Sequence, residues 1–150
     1  VLNIYSDNNA YANLFKTQAV RRRLYLNHTD IKMLFKVNPE SDVYLAERSL
    51  QKITKSILFH CFPDGLCVSG VSAGSETDDD ILKDVKAVAD SVPVFCNTGC
   101  TAQNVAQKLS VVDGVCVGTA FKKDGKFENQ VELQRVVEFM DAVRAYRATK

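Results

Sequence analysis

Short apolar runs alternate with amphipathic stretches along this chain, and this alternation constrains the fold more than any other feature. Four runs are typical of strands, at 31–37, 66–69, 93–97 and 114–118, and a stretch with helical spacing follows each one. Strict alternation with short connections predicts parallel strands and right-handed crossovers. Because the strands are almost wholly apolar, both sheet faces are expected to be buried. Two α/β architectures fit: an open doubly wound sheet, or a portion of a TIM (β/α)₈ barrel.

Recognisable capping residues bound the predicted helices, which lie at 10–24, 42–59, 77–91, 101–109 and 131–146. Ser41, Thr77 and Thr101 are the predicted N-caps of the second, third and fourth helices, and Asp80 would complete a near capping box with Thr77. On the last helix, apolar spacing places Leu133, Val136, Val137, Met140 and Val143 inward. Residues 1–5 are a further strand or its frayed end.

The charge balance argues against polyanionic partners. Among 150 residues, 46% are hydrophobic and 25% charged, and the formal net charge is +1, so we expect no binding to nucleic acid. The basic run at 21–23 is interpreted as a solvated helix end. No apolar run approaches the ~20 residues that cross a bilayer, so no membrane span is predicted.

The cysteines predict a reducing compartment, either the cytoplasm or an organellar matrix. There are five, an odd number, and no Cys-x-x-Cys pair occurs, which argues against a disulfide framework and a zinc site. His28 and His60 have no acid or thiol at a convincing metal-ligand spacing, so we predict no metal and no cofactor. The chain opens with Val1, which indicates that the natural N-terminus, with any targeting peptide, lies further upstream.

Small and polar residues follow the predicted strands, where ligands of α/β proteins bind. These positions hold Asn38, Ser69, Gly70, Asn97, Thr98, Gly99, Gly118 and Thr119. Glycine lets backbone N–H groups approach an anion, and the start of a helix adds a positive partial charge. The alternative is structural: Gly99 serves only a tight turn, and Gly118 only the packing of the sheet.

The last two strand ends form the more specific pattern. In barrels, the loops after strands 7 and 8 often bind a phosphate, with a short extra helix after strand 8. We therefore predict a phosphate-type anion, carried by a phosphorylated small molecule, on Thr98, Gly99, Gly118 and Thr119. Residues 119–122 would begin the short helix, and Lys122 would add charge, whereas Lys123 is interpreted as solvated.

Other strand-end residues are candidates for the rest of a pocket. Ser69, Gly70 and Asn97 are predicted to line it. Lys32, Lys36 and Asn38 alternate along one strand and so should share a face. Lys36 and Asn38 are weak catalytic candidates, because a lysine buried there needs a partner or a lowered pKa. Residues 75–78 either line the pocket mouth or only cap a helix.

Three segments, at residues 65–78, 92–105 and 112–125, carry a resemblance to one known family, the BtpA family. Residues 65–78 (Gly-Leu-Cys-Val-Ser-Gly-Val-Ser-Ala-Gly-Ser-Glu-Thr-Asp) resemble its "VSG…TG…D" loop, and residues 92–105 and 112–125 resemble two further segments. Asn129 stands where the family often has Asn-Pro-Val. The resemblance is strong over 64–144, and residues 30–38 look like the family's strand 5.

This resemblance implies a (β/α)₈ barrel of which residues 1–150 form a partial domain, from about strand 4 or 5 to helix 8. It also implies relatives linked to photosystem I biogenesis, and others that look like uncharacterised enzymes encoded beside sugar-phosphate systems. Where the family's strand 5 has an Asp-Ile-Lys-like pattern, this chain has Lys36, Val37 and Asn38. Acid–base chemistry using that Asp is therefore not expected here.

Three functional hypotheses remain open from the sequence. The first is a phosphometabolite binder. The second is a non-catalytic assembly or stability factor for a membrane protein complex. The third is an inactive truncated barrel, or one completed as a homo-oligomer, because a barrel needs ~250 residues and a half barrel exposes two sheet edges.

Overall fold

The computed structural model describes residues 9–38 and 47–150, and the side chains of its first helix from residue 16 onward. Helices and strands alternate throughout this part. In chain order they are α1 (Asn9–Tyr25), β1 (Leu34–Asn38), α2 (Leu50–Cys61), β2 (Gly65–Val68), α3 (Asp79–Lys86), β3 (Val94–Cys96), α4 (Val105–Val111), β4 (Gly114–Val115), two 3₁₀ helices (Thr119–Phe121 and Lys123–Gly125) and α5 (Leu133–Arg147). The predicted α/β class and the short helix after the last strand are confirmed.

The four strands form one parallel sheet in the order β1-β2-β3-β4. Each strand therefore lies beside its neighbour in sequence, and the strand order never reverses. All the carboxyl ends meet at one edge, which we call the carboxyl edge. An irregularity between Lys36 and Asn38 shifts the pairing of β1, so that Asn38 lies opposite Val68.

One face of the sheet carries the hydrophobic core. Side chains from α1 to α5, among them Val20, Ile57, Leu82, Val105 and Phe139, pack in one cluster with the alternate strand residues Phe35, Val37, Leu66, Val68, Val94 and Cys96. A doubly wound sheet would carry helices on both faces and reverse its strand order. The described part departs from that pattern and is consistent with a segment of a barrel.

The opposite face, here called the inner face, is packed around one aromatic ring. A Cβ at Gly65 would lie 2.9 Å from the Phe95 ring, and one at Gly114 would lie 2.7 Å from it. These glycines lie on β2 and β4, the strands on either side of Phe95. The ring thus fills the space that their missing side chains leave.

Two cysteines, Cys67 and Cys116, belong to this face. In register, Cys67 lies opposite Phe95 and Phe95 opposite Gly114, which places Cys116 two residues further along. The Cys67 thiol lowers the pKa of Cys116, and burial opposes this effect.

A repeated Asp-Gly-x-Cys-Val segment opens both β2 and β4, at residues 64–68 and 113–117. The Asp64 carboxylate accepts a hydrogen bond from the Met33 N–H at 2.9 Å, and Asp113 accepts one from the Val94 N–H at 2.8 Å. Each carboxylate also binds a basic side chain, Arg23 or Lys86 respectively. This repeat, which was not predicted, fastens each of the two strands to the preceding one.

The predicted helix starts were wrong in detail. The helix predicted from residue 42 begins at Leu50, where the Ser49 side chain accepts from the Lys52 N–H. Asp78, not Thr77, caps α3. α4 begins at Val105 after Asn104, whereas Thr101 lies four residues earlier. Ser41 and residues 1–5 lie outside the described residues.

The inward face of α5 also differs from the prediction. Leu133 is 76% exposed and Val137 41%, whereas Phe139 and Val143 are buried. The ring of Phe139 meets that of Phe121 edge to face at 5.3 Å. Contact with the first 3₁₀ helix, which contains Phe121, therefore sets which side of α5 is buried. Apolar spacing alone does not reveal this.

Candidate functional site

A chain of hydrogen bonds runs across the carboxyl edge. The Asn38 side chain donates to the Ser69 carbonyl at 2.7 Å and accepts from the Ser69 N–H at 2.9 Å. The Asn97 side chain donates to the Ser69 hydroxyl at 2.9 Å. Three of the predicted site residues are thus brought together, and the two backbone bonds of the Asn38 amide hold it in one orientation.

Thr98 is hydrogen-bonded to the loop that follows β2. Its hydroxyl accepts from the Gly70 N–H at 2.7 Å and lies 3.1 Å from that of Thr77, which in turn donates to the Thr98 carbonyl. A hydroxyl has one proton. Because Thr77 donates its proton to that carbonyl, the bond between the two hydroxyls uses the Thr98 proton. Thr98 therefore has a structural role, and its phosphate role stays a prediction.

The loop of residues 70–78 extends over the ends of β3 and β4. A Cβ at Gly99, whose φ is +73°, would lie 2.2 Å from Glu76 Cα, so only glycine permits this approach. Further along the edge, a Cβ at Gly74 would lie 3.3 Å from the Thr119 side chain. The loop therefore covers Gly99 and comes close to Thr119.

A buried lysine on α4 holds this loop in place. Lys108 is 1% exposed, and its Nζ lies 2.7 Å from the Asp79 carboxylate, 2.8 Å from that of Glu76 and 2.7 Å from the Thr77 carbonyl. Burial opposes its charge, but the two carboxylates outweigh burial and raise the Lys108 pKa. Sequence reasoning missed this residue, since it occupies an ordinary position on a helix face.

Gly118 and Thr119 present open backbone at the same edge. A Cβ at Gly118 would meet no atom within 4 Å, and Gly118 precedes the first 3₁₀ helix as its N-cap. The N–H groups of Gly118 and Thr119 donate to no acceptor within residues 9–38 and 47–150. Two adjacent free donors at the start of a helical turn suit an anion.

The predicted lysines lie in different surroundings. Lys36 occupies the half-buried inner face of β1, level with Cys67, and its carbonyl accepts from the Lys16 ammonium at 2.9 Å. Lys32 precedes the strand and is exposed, so the predicted three-residue face contains only Lys36 and Asn38. Lys122 follows the first 3₁₀ helix, and its backbone bridges to Val131.

The five thiols are all free. Cys96 and Cys100 form a buried pair on the helix side of the sheet, with their sulfurs 3.4 Å apart. Cys67 and Cys116 form the inner-face pair, in which Cys116 is the more exposed. No cluster of three or more His, Cys, Asp or Glu side chains suited to a metal ion occurs in the described part of the chain.

Comparison with known proteins gives a family and a fold. The profile of the BtpA family matches residues 8–145. The sgc region protein SgcQ of Escherichia coli (strain K12) is 42% identical over 130 residues, which are 87% of this chain and 48% of that protein. The photosystem I biogenesis protein BtpA of Synechocystis is 29% identical over 80 residues, 53% of this chain and 28% of that protein.

Among solved structures, a chain of the Amycolatopsis orientalis BexX/CysO complex superposes with a TM-score of 0.57 at 16% identity. The match covers 89% of this chain and 49% of that one. The likeness is one of fold. This chain spans about half the length of SgcQ and of the matched structure. Within the described residues, none of the helices has the length and apolarity needed to traverse a bilayer.

Proposed function

This chain belongs to the BtpA family, and from that premise we propose that it binds a phosphorylated small molecule at the carboxyl edge of its sheet. The observation that carries the proposal is the pair of N–H groups at Gly118 and Thr119, which donate to no acceptor among the described residues. They lie after the last strand of a parallel sheet, where such folds bind phosphate. The open space at Gly118 leaves room for phosphate oxygens to approach the backbone.

The remainder of the ligand would lie over the polar chain of Asn38, Ser69 and Asn97. These side chains form a fixed set of donors and acceptors suited to hydroxyl groups, such as those of a sugar phosphate. Lys36, below them on the inner face, would supply a cation. Lys122 follows the anion site and would add to its positive charge.

Calorimetric titration with inorganic phosphate and a panel of sugar phosphates tests this proposal. Gly118→Asp adds a Cβ that meets no atom within 4 Å and brings a carboxylate to the anion position. Charge repulsion of about 1 to 4 kcal/mol at 4 Å predicts at least about fivefold weaker binding. Gln18→Glu, on the exposed surface of α1, adds the same charge as a control. Absence of saturable binding to any probe would sink the proposal, as would equal binding by both variants.

We further propose that the sheet is a portion of a (β/α)₈ barrel. The single-sided helices and the unreversed strand order support it. An open half barrel leaves sheet edges unpaired. We expect a second copy of the 150-residue chain to complete the barrel. Light scattering should therefore give a mass larger than that of a single chain. A monodisperse monomer with a sharp cooperative melt would contradict the barrel.

A second candidate is an assembly factor for a membrane protein complex. It rests on the name of the Synechocystis relative, which describes photosystem I biogenesis. Its prediction is that a complex subunit co-purifies equally with the native chain and with Gly118→Asp. Loss of the subunit together with phosphate binding would instead tie both to one site.

A further inference from the structure

We propose that Cys96 and Cys100 form an oxidation site, which hydrogen peroxide closes to a reversible intramolecular disulfide. Cys96 ends β3, and Cys100 follows it in the loop before α4. The Cys100 thiol donates to the Cys96 sulfur at 3.4 Å, and both thiols are free. The inference does not depend on a ligand at the carboxyl edge.

The backbone between the two cysteines permits the bond. They are four positions apart in the sequence, and the positive φ of Gly99 (+73°) turns the chain between them. The sulfurs of a disulfide are about 2.05 Å apart, so those of this pair need to approach by only about 1.4 Å. Because Cys100 lies outside both the strand and the helix, its side chain can move closer without shifting either element.

The pair is buried next to the loop of residues 70–78. Cys96 and Cys100 are 0% and 2% exposed, and the Gly99 turn between them lies against the Glu76 backbone. Loops open locally at a lower free energy than that of global unfolding. Hydrogen peroxide is little larger than water, so a brief opening of this loop admits it. The burial therefore selects a small oxidant and excludes a bulky one.

The surroundings favour Cys96 as the thiol that reacts first. The hydrogen bond from the Cys100 thiol lowers the pKa of Cys96 to about 7, although burial opposes this effect. The Thr77 hydroxyl and the Lys108 ammonium lower it further. The same thiol bond and burial raise the pKa of Cys100. Since the thiolate is the nucleophile, Cys96 attacks the peroxide and Cys100 resolves the product.

Two steps account for the atoms and electrons. The Cys96 thiolate attacks one peroxide oxygen, the O–O bond breaks, and hydroxide leaves, takes up a proton and becomes water. The Cys100 sulfur then attacks the sulfur of the Cys96 sulfenic acid, whose hydroxyl group leaves with the Cys100 proton as a second water. The dithiol loses two electrons, and one peroxide is reduced to two waters. A thiol reductant reverses the bond by exchange.

The test is incubation of the reduced chain with hydrogen peroxide, followed by N-ethylmaleimide in denaturant and peptide mapping. Tryptic cleavage after Lys86 and Lys108 places both cysteines on one peptide, residues 87–108, and the other three cysteines on different peptides. We expect this peptide to carry no N-ethylmaleimide and to be lighter than its dithiol form by two hydrogens. Treatment with dithiothreitol before the N-ethylmaleimide should restore both alkylation sites.

Three variants separate the steps. Cys100→Ala should stop at a Cys96 sulfenic acid, which dimedone traps. Cys96→Ala should leave Cys100 alkylated and slow the loss of thiol from this peptide at least about tenfold. Cys61→Ala is the control, because Cys61 is equally buried but lies beside the Thr17 hydroxyl instead of a second thiol. It should close the bond at the wild-type rate.

Three results would each overturn the proposal. The first is a wild-type peptide 87–108 that remains alkylated at both cysteines after incubation. The second is a persistent dimedone adduct on wild-type Cys96, because Cys100 would then fail to resolve it. The third is a disulfide that links Cys96 or Cys100 to another peptide.

Discussion

The side-chain carboxylate of Asp113 accepts a hydrogen bond from the backbone N–H of Val94 at 2.8 Å, at the point where β3 begins. It also binds the Lys86 ammonium at 2.6 Å. Burial would raise the Asp113 pKa, but these two bonds outweigh it, and the pKa is lowered. One carboxylate thus connects the start of β4 to β3 and to the end of α3.

Asp113→Ala should lower the free energy of unfolding by about 1–3 kcal/mol, because the Val94 N–H loses its acceptor. The carboxylate's contribution is present above its unfolded pKa of about 3.9 and is lost as pH falls through the lower folded pKa. Denaturant titrations at neutral and acid pH check both statements. Asp141→Ala, which removes an exposed pair with Arg144, is the control and should change little. Equal effects of the two variants would contradict the role of Asp113.

Lys108→Met should destabilise the chain by about 3–5 kcal/mol, because it leaves the Asp79 carboxylate partly buried without its cation. The loop of residues 70–78 should also become more accessible to proteases, since its anchor is gone. Lys83→Met is the matched control, as that lysine is exposed and pairs only at the surface with Asp80. A Lys108 variant with unchanged stability and protease resistance would show that the loop is held otherwise.

Glycine substitutions separate loop packing from anion binding. Gly99→Ala should cost more than about 2 kcal/mol, because the new Cβ meets the Glu76 backbone and φ is positive. Gly118→Ala meets open space at a φ of −130° and should change stability by less than about 0.5 kcal/mol. Thermal melts of both variants make the comparison. Similar losses at the two positions would mean that Gly118 is also packed.

The alkylation rate of Cys116 should rise with pH through about 7, because only the thiolate reacts. Cys67→Ala removes the thiol that lowers this pKa, so the rise should move to higher pH. Among neighbouring groups, the charge of a Cys96 thiolate raises the Cys116 pKa. The Lys36 ammonium lowers the pKa of Cys67. Iodoacetamide rates from pH 6 to 9 with peptide mapping measure the shift. An unchanged profile in Cys67→Ala would rule out the thiol interaction.

The strand alternation and the BtpA resemblance were sufficient to predict a parallel α/β sheet and the family. The strand-end residues from Asn38 to Thr119 lie at one edge, because parallel strands bring their carboxyl ends together, and their binding roles stay predictions. The loop anchored by Lys108 was not foreseeable, since a lysine on a helix face is usually solvated. Thr77 was misassigned because a hydroxyl before a helix is typical of a cap, whereas here it is buried against Thr98.

The most direct test of the central claim is a titration of the isotopically labelled chain with inorganic phosphate or a sugar phosphate, observed by amide NMR. We expect the Gly118 and Thr119 amide resonances to shift with saturation, and we expect these shifts to vanish in Gly118→Asp but persist in Gln18→Glu. Saturable shifts confined to other residues, or none at these two amides, would contradict a phosphate site at this edge.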